Sequence, residues 1–299
     1  MTVLECIQTA LARVGISTSN TDFQTTARRY LNATLQQLAG EATWWWLHKT
    51  DSIQCTREFT LTSDTGTFTA TSTVTGQTSA ATATVVSWVA STKVLTVKDE
   101  SGTFTTSERV QQSGSIYGTL SSVASTKVYS LASDLAYPLS FRNNSQDYVM
   151  HIDGSEALDL RDPDQSQTGE PYSVTMVGLN TTTGYQQVQL HPAPDDSNTD
   201  IDYRYYAYLP DYTSDDDSVN LSVKVPTIIQ PALYFGTARL YKQEKGDYEG
   251  ATLEFAEYQQ VVNRALNVNR QTDGNRRYRM HRVDSSQVFA FQPVDGTVG

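Results

Sequence analysis

The chain has 299 residues, 18% of them charged, and a formal net charge of −11. That balance argues against a general nucleic-acid binder, which needs Lys and Arg to neutralise phosphates, although an acidic wall lets DNA slide past by like-charge repulsion. The length suits one large domain or two ordinary ones, and the sparse charge with plentiful Ser, Thr, Gln and Asn favours strands and turns.

Cys6 and Cys55 are the two cysteines, too few for a disulfide framework or a zinc ligand set. The opening MTVLECIQTA carries Glu5 and lacks a basic start followed by a long apolar run, so it does not read as a signal peptide. No apolar run is long enough to span a membrane. A protein made and folded in a cytoplasm, with no membrane partner, is expected.

In residues 2–14, Leu4, Ile7, Leu11 and Val14 fall at helical spacing and Gly15 supplies a stop. A second helix is expected from Asp22 to Lys49. It carries Phe23, Ala27, Tyr30, Leu31, Leu35, Leu38, Ala42, Trp45 and Trp46 in steps of three and four, with Thr21 or Asp22 as cap. Trp44, Trp45 and Trp46 close it. Consecutive residues point about 100° apart on a helix, so this end is either buried on several sides or turned to a partner. We read the three as a helix-bundle anchor.

From Thr50 the sequence turns polar and β-prone, and an internal repeat follows. Gly66-Thr67-Phe68-Thr69 recurs 36 residues on as Gly102-Thr103-Phe104-Thr105, and Val89–Val94 recurs 34 residues on as Val123–Val128. Two identities in the same order indicate duplication. Thr, Val and Ser alternate between Gly turns in each unit, and Val85, Val86, Trp88, Leu95 and Val97 supply a core. Residues 63–127 are therefore expected to form a small β-sandwich or barrel inserted into the main domain.

Beyond Tyr129 a strand leads from a Pro-containing turn, and 148–160 holds a strand and a helical turn. Strands are expected at 171–179, 185–191 and 200–209, the last alternating with period two. Helices return at 226–244, where Pro231 is harmless only in the first turn, and at 248–268. The tail, 270–299, is basic at first and then carries Val288, Phe289 and Phe291 without a helical or strand period. Such a tail is expected to fold onto a partner. The expected fold class is α+β: a four-helix bundle from the N- and C-terminal segments, a central antiparallel β region and an inserted small all-β domain. The expected division is 1–62, 63–127, 128–268 and 269–299.

Signatures of chemistry are lacking. There is no G-x-S-x-G, no phosphate-cradling Gly loop and no H-E-x-x-H. His48, His151, His191 and His281 are far apart in sequence. Asp195/Asp196 and Asp215–Asp217 lack the spaced acids and Gly of a calcium loop and read as solvated. No catalytic residue, metal or cofactor is expected.

The order of elements resembles the head-to-tail adaptor proteins of tailed bacteriophages, also called head-completion, connector or tail tubular proteins. The resemblance rests on two N-terminal helices ending in Trp44–Trp46 and on the segment YSLASDLAYPLSFRNN. It continues through Gly169–Tyr172, a strand closing in Leu190–Pro194, DIDYRYYAYLPDY and two C-terminal helices with Lys245-Gly246-Asp247 at the bend. It covers roughly 2–62 and 129–268. One departure is Leu131-Ala132-Ser133-Asp134, where relatives have Leu-Pro-x-Asp.

The resemblance implies a structural virion protein in the neck, a dodecameric ring of copies of itself docked under the portal protein of a DNA-filled capsid. A tail nozzle, hub or tube protein would lie below, and DNA would pass the channel without specific binding. By position, Arg276, Arg277, Tyr278, Arg279, Arg282, Phe289 and Phe291 would be the portal-docking residues, and the insert would reach fibres or spikes. Two other readings compete. One is a virion surface or tail-associated module whose insert binds glycan through Phe68, Trp88, Phe104 and Tyr117. The other is a hydrolase using scattered carboxylates.

Overall fold

The computed structural model describes residues 1–272. The chain opens with α1 (Val3–Val14) and α2 (Thr21–Glu41). Strands follow: β1 (His48–Gln54), β2 (Arg57–Thr65), β3 (Thr73–Gly76), β4 (Thr82–Val89), β5 (Val94–Ser101), β6 (Arg109–Ser113), β7 (Ile116–Ser125), β8 (Val128–Ser130), β9 (Leu135–Asn143), β10 (Tyr148–Val149) and β11 (His151–Asp153). Then come α3 (Ser155–Arg161), β12 (Thr168–Gly169), β13 (Ser173–Leu179), β14 (Gln186–His191), β15 (Ala193–Pro194) and β16 (Asp200–Ala207). The helices α4 (Gln230–Glu244) and α5 (Tyr248–Thr272) complete the described chain. These elements form two units, Met1–Trp45 with the chain from Tyr212, and Trp46–Asp211.

The first unit holds the long helices. Thr2 and Glu5 form a capping box on α1, and Gly15 ends it at φ 76°, a left-handed conformation that glycine adopts without penalty. Asn20, rather than Thr21 or Asp22, caps α2 by accepting from the amides of Asp22 and Phe23. The helix stops at Glu41, short of the tryptophans, and Ala42 is extended. Pro231 lies in the first turn of α4, where its missing N–H costs nothing.

The expected four-helix bundle does not form. The described chain is mostly β, with sixteen strands in several sheets and a closed barrel against five α-helices. A bundle gives each helix one apolar stripe toward a shared axis. Here α4 is flanked by α1, α2 and α5 and buries residues all around, among them Ala232, Leu233, Phe235, Gly236, Thr237, Ala238 and Tyr241. Helical spacing in the sequence identifies an apolar face but not how many neighbours share it, and α4 takes a central place that a four-seam bundle lacks. Polar bridges tie α5 to the other three long helices: Glu254 takes Arg13 of α1 at 2.8 Å and Lys242 of α4 at 2.9 Å, and Tyr258 donates to Glu41 of α2 at 2.8 Å.

The second unit has a sandwich-like core between two four-stranded sheets, ordered β1-β16-β9-β10 and β11-β13-β14-β8. Ile201, Tyr203 and Tyr205 of β16 alternate inward and pack with Ile53, Phe141, Val174, Val188 and Leu190. Tyr203 stacks on Phe141 at 5.6 Å, and its hydroxyl donates to Asp51 and accepts the Ala132 amide. On the same edge the Tyr205 hydroxyl donates to Asp134, which also holds Lys49.

Strands β2 to β7 close a six-stranded barrel in the order β2-β5-β4-β3-β6-β7. The sequence repeat becomes a two-fold relation between β2-β3-β4 and β5-β6-β7. Phe59 pairs with Leu95 and Thr75 with Gln111, so at the β2–β5 and β3–β6 pairings a residue meets its own repeat partner 36 positions on. Left-handed backbone recurs at Ser63/Asp99, Gly66/Gly102 and Thr71/Ser107. The ion pairs Arg57–Glu100 and Asp64–Lys93, each 2.8 Å, are one contact seen in both halves. The core obeys the same rule: Phe68/Phe104, Val74/Val110 and Val85/Leu120 are all buried. The chain enters and leaves the barrel side by side, where the Thr56 hydroxyl bonds that of Thr126 at 3.0 Å.

Candidate functional site

The three tryptophans part company. Trp44 is fully buried, and its indole N–H donates to the Leu38 carbonyl at 2.6 Å, satisfying a carbonyl that the end of α2 leaves open. Trp46 is half-buried. Trp45 is 45% exposed while its amide donates to the Asn269 side chain at 3.0 Å. Asn269 also donates to the Thr43 carbonyl at 3.1 Å. Sequence reasoning missed Asn269, although its spacing after Tyr258, Val262 and Ala265 puts it on the buried stripe of α5. The seven residues expected to dock on the portal, Arg276 through Phe291, and His281 lie outside the described residues.

The aromatic side chains of the barrel do not make a sugar platform. Phe68 and Phe104 are in its core, at 3% and 8% exposure. Trp88 packs edge-on against Phe68 at 5.1 Å, and the Tyr117 ring is covered by the Arg109 guanidinium 3.3 Å from its centroid. Glycan stacking needs a free aromatic face, and the burial of Phe68 and Phe104 removes two of the four rings from such a platform.

The histidines stay apart. His48 packs edge-on against Tyr206 at 4.1 Å, and His151 is exposed on β11. His191 is buried at the end of β14 with Nδ1 3.7 Å from Asp162. Burial pushes its pKa below the ordinary value, against the pull of Asp162. Asp162 itself accepts the amides of Ser166 and Gln167, so this buried group organises the loop after α3. The acidic runs are absorbed locally. Asp216 caps a short turn through the Thr213 amide, which lowers its pKa, and Asp217 pairs with Arg28. Asp196 accepts from Asn198. Among the described residues no three His, Cys, Asp or Glu side chains are grouped to hold a metal ion. Both cysteines are buried, which pushes each thiol up to about 12.

What this arrangement offers is surface. The outer face of β1-β16-β9-β10 carries a polar cleft of about 380 Å³ lined by Thr50, Ser140, Arg142, Asp202 and Arg204. Register puts Thr50, Arg204 and Ser140 in one row across three strands and Ser52, Asp202 and Arg142 in the next. Beside it His48, Tyr206 and Tyr137 form an aromatic row, with Tyr137 45% exposed. No described helix is long and apolar enough to cross a membrane.

The model of one protein family, SU10 adaptor protein, matches residues 107–284, more than half of the chain. The chain belongs to the SU10 adaptor protein family. It is thus a bacteriophage structural adaptor protein, a virion component that meets other head or tail proteins. No curated protein matches it. The matched span of this adaptor takes in β6 and β7 of the barrel, β8 to β16, α4 and α5 and the chain to residue 284. It leaves α1, α2 and β1 to β5 outside.

Proposed function

We propose that this adaptor assembles as a homo-oligomeric ring, of twelve copies by the resemblance, between the portal of a DNA-filled capsid and the tail, and forms part of the DNA channel there. The family match over residues 107–284 carries this reading. The net charge of −11 supports it, since an acidic wall repels the DNA backbone and lets it pass. A tail nozzle, hub or tube protein takes the distal side. The barrel is a separate inserted domain whose adjacent ends at Thr56 and Thr126 allow it to project without disturbing the sheets that carry it. It faces a fibre or spike. The segment after α5, with Arg276, Arg277, Tyr278, Arg279, Arg282, Phe289 and Phe291, docks on the portal.

Mass photometry of the protein alone and with its cognate portal ring tests this, for the full chain and a chain ending at Gln271. Many copies per portal for the full chain and none for the truncation is the expected result. Binding by both removes the docking role of the segment. Binding by neither removes the ring.

A further inference from the structure

From Pro171 to Pro194 the chain contains no Asp, Glu, Lys or Arg, although charged residues make up 18% of the whole. This run is the β13–β14 hairpin with its flanks. Its far end is uncharged and open, and around the polar turn Asn180–Gly184 it carries three exposed apolar side chains: Val177 is 43% exposed, Leu179 63% and Tyr185 40%. Val177 sits in a bulge between Met176 and Gly178. β11 pairs with β13 only up to Thr175, so Met176–Leu179 pair with β14 alone. The tip is rigid. The Asn180 side chain accepts the amides of Thr182 and Thr183 at 2.9 and 3.0 Å, and Asn180 and Tyr185 are joined by a backbone bond of 2.8 Å. An uncharged knob already held in shape binds at a reduced ordering cost.

We infer that this knob is the subunit–subunit contact, inserted into a different face of the next copy of this chain; the inference rests on the ring reading. Copies that each carry −11 repel wherever their acids meet, so association is cheapest where one surface carries no charge. Knob-to-knob packing would close a pair, whereas a ring needs the knob to meet a second, different surface. The bulge kinks the free edge, which disfavours strand addition and leaves the side chains as the contact.

The test is assembly of full-length Leu179→Glu and Tyr185→Glu against wild type, by mass photometry with and without the portal ring. Leu253→Glu, at a 67% exposed site on α5, is the control for added charge. Thermal melts show whether each variant folds, as exposed sites should allow. Burying a carboxylate in an apolar contact is expected to lower the assembled fraction roughly tenfold or more for both hairpin variants, with the control unaffected. If wild type and hairpin variants assemble alike, the knob is not the contact and the ring stands. If the control fails equally, the effect is charge and the inference falls. If wild type does not assemble even on the portal, the ring itself falls.

Discussion

Gly236, in the middle of α4, sits against Thr34 of α2. A Cβ built on it lies 2.9 Å from the Thr34 hydroxyl oxygen and 3.2 Å from its Cβ, and closer still to its methyl group. Ordinary carbon contacts are about 3.5–4.0 Å, so Gly236→Ala forces the two helices apart. Thr34 is 1% exposed, with its hydroxyl on the Tyr30 carbonyl, and cannot swing into solvent. Two effects oppose each other. Ala is better than Gly inside a helix by about 0.8–1 kcal/mol. Overpacking a tight contact costs about 1–3 kcal/mol. With α4 buried on several sides there is little slack, so a net loss of about 1–2 kcal/mol is expected. In a unit of this size each kcal/mol lowers Tm by about 4 °C. Thr34→Ala removes the methyl and hydroxyl that clash, so the double variant should recover about 1 kcal/mol relative to the sum of the singles. Far-UV circular dichroism during denaturant and thermal unfolding reads this out, because the long helices all lie in this unit. A Gly236→Ala protein that melts at or above wild type refutes the argument. So does a cycle that adds within about 0.5 kcal/mol.

Glu254→Gln strips the counter-charge from Arg13 and from Lys242, which is 14% exposed, and should cost about 3 kcal/mol by chemical denaturation; a loss under about 0.5 kcal/mol would mean the bridges are idle. In the barrel, burial disfavours the Glu108 charge, but hydrogen bonds from Ser79, Thr105 and Thr78 outweigh it and hold the pKa below its ordinary 4.5. A carboxylate with a lowered folded pKa stabilises fully above 4.5 and loses that contribution as pH falls through the folded value. Barrel melting should therefore drop in that acid window, and Glu108→Gln should flatten the drop. Gly118 lies with its missing Cβ 2.9 Å from Leu61 Cδ1, while the repeat partners of these two residues are Ala83 and Val97. Gly118→Ala alone should destabilise by about 1–3 kcal/mol, and adding Leu61→Val should restore most of it by rebuilding the solution of the other half. Failure of that rescue in equilibrium unfolding would break the equivalence of the halves.

The amino-acid order by itself determined what depends on neighbours within a few turns. Leu4, Ile7 and Leu11 mark α1, Pro231 is tolerable only at a helix start, and the period-two run through Tyr203 and Tyr205 marks β16. The duplication was equally legible, because the left-handed turns at Gly66 and Gly102 and the alternating Val and Phe positions are local requirements repeated 36 residues apart. Tertiary structure alone decided the rest. Three adjacent tryptophans gave no hint that α2 would stop at Glu41 and split them, since the Asn269 bracket on Thr43 and Trp45 comes from α5, more than two hundred residues later. In the competing glycan reading the barrel aromatic residues were a platform, and strand closure instead turns Phe68 and Phe104 inward. The helices read as a bundle because periodicity reports one apolar face and is silent about the others. Which surface stays uncovered is a property of the packed whole, and that is why the bare tip of the β13–β14 hairpin appears only once both sheets are assembled.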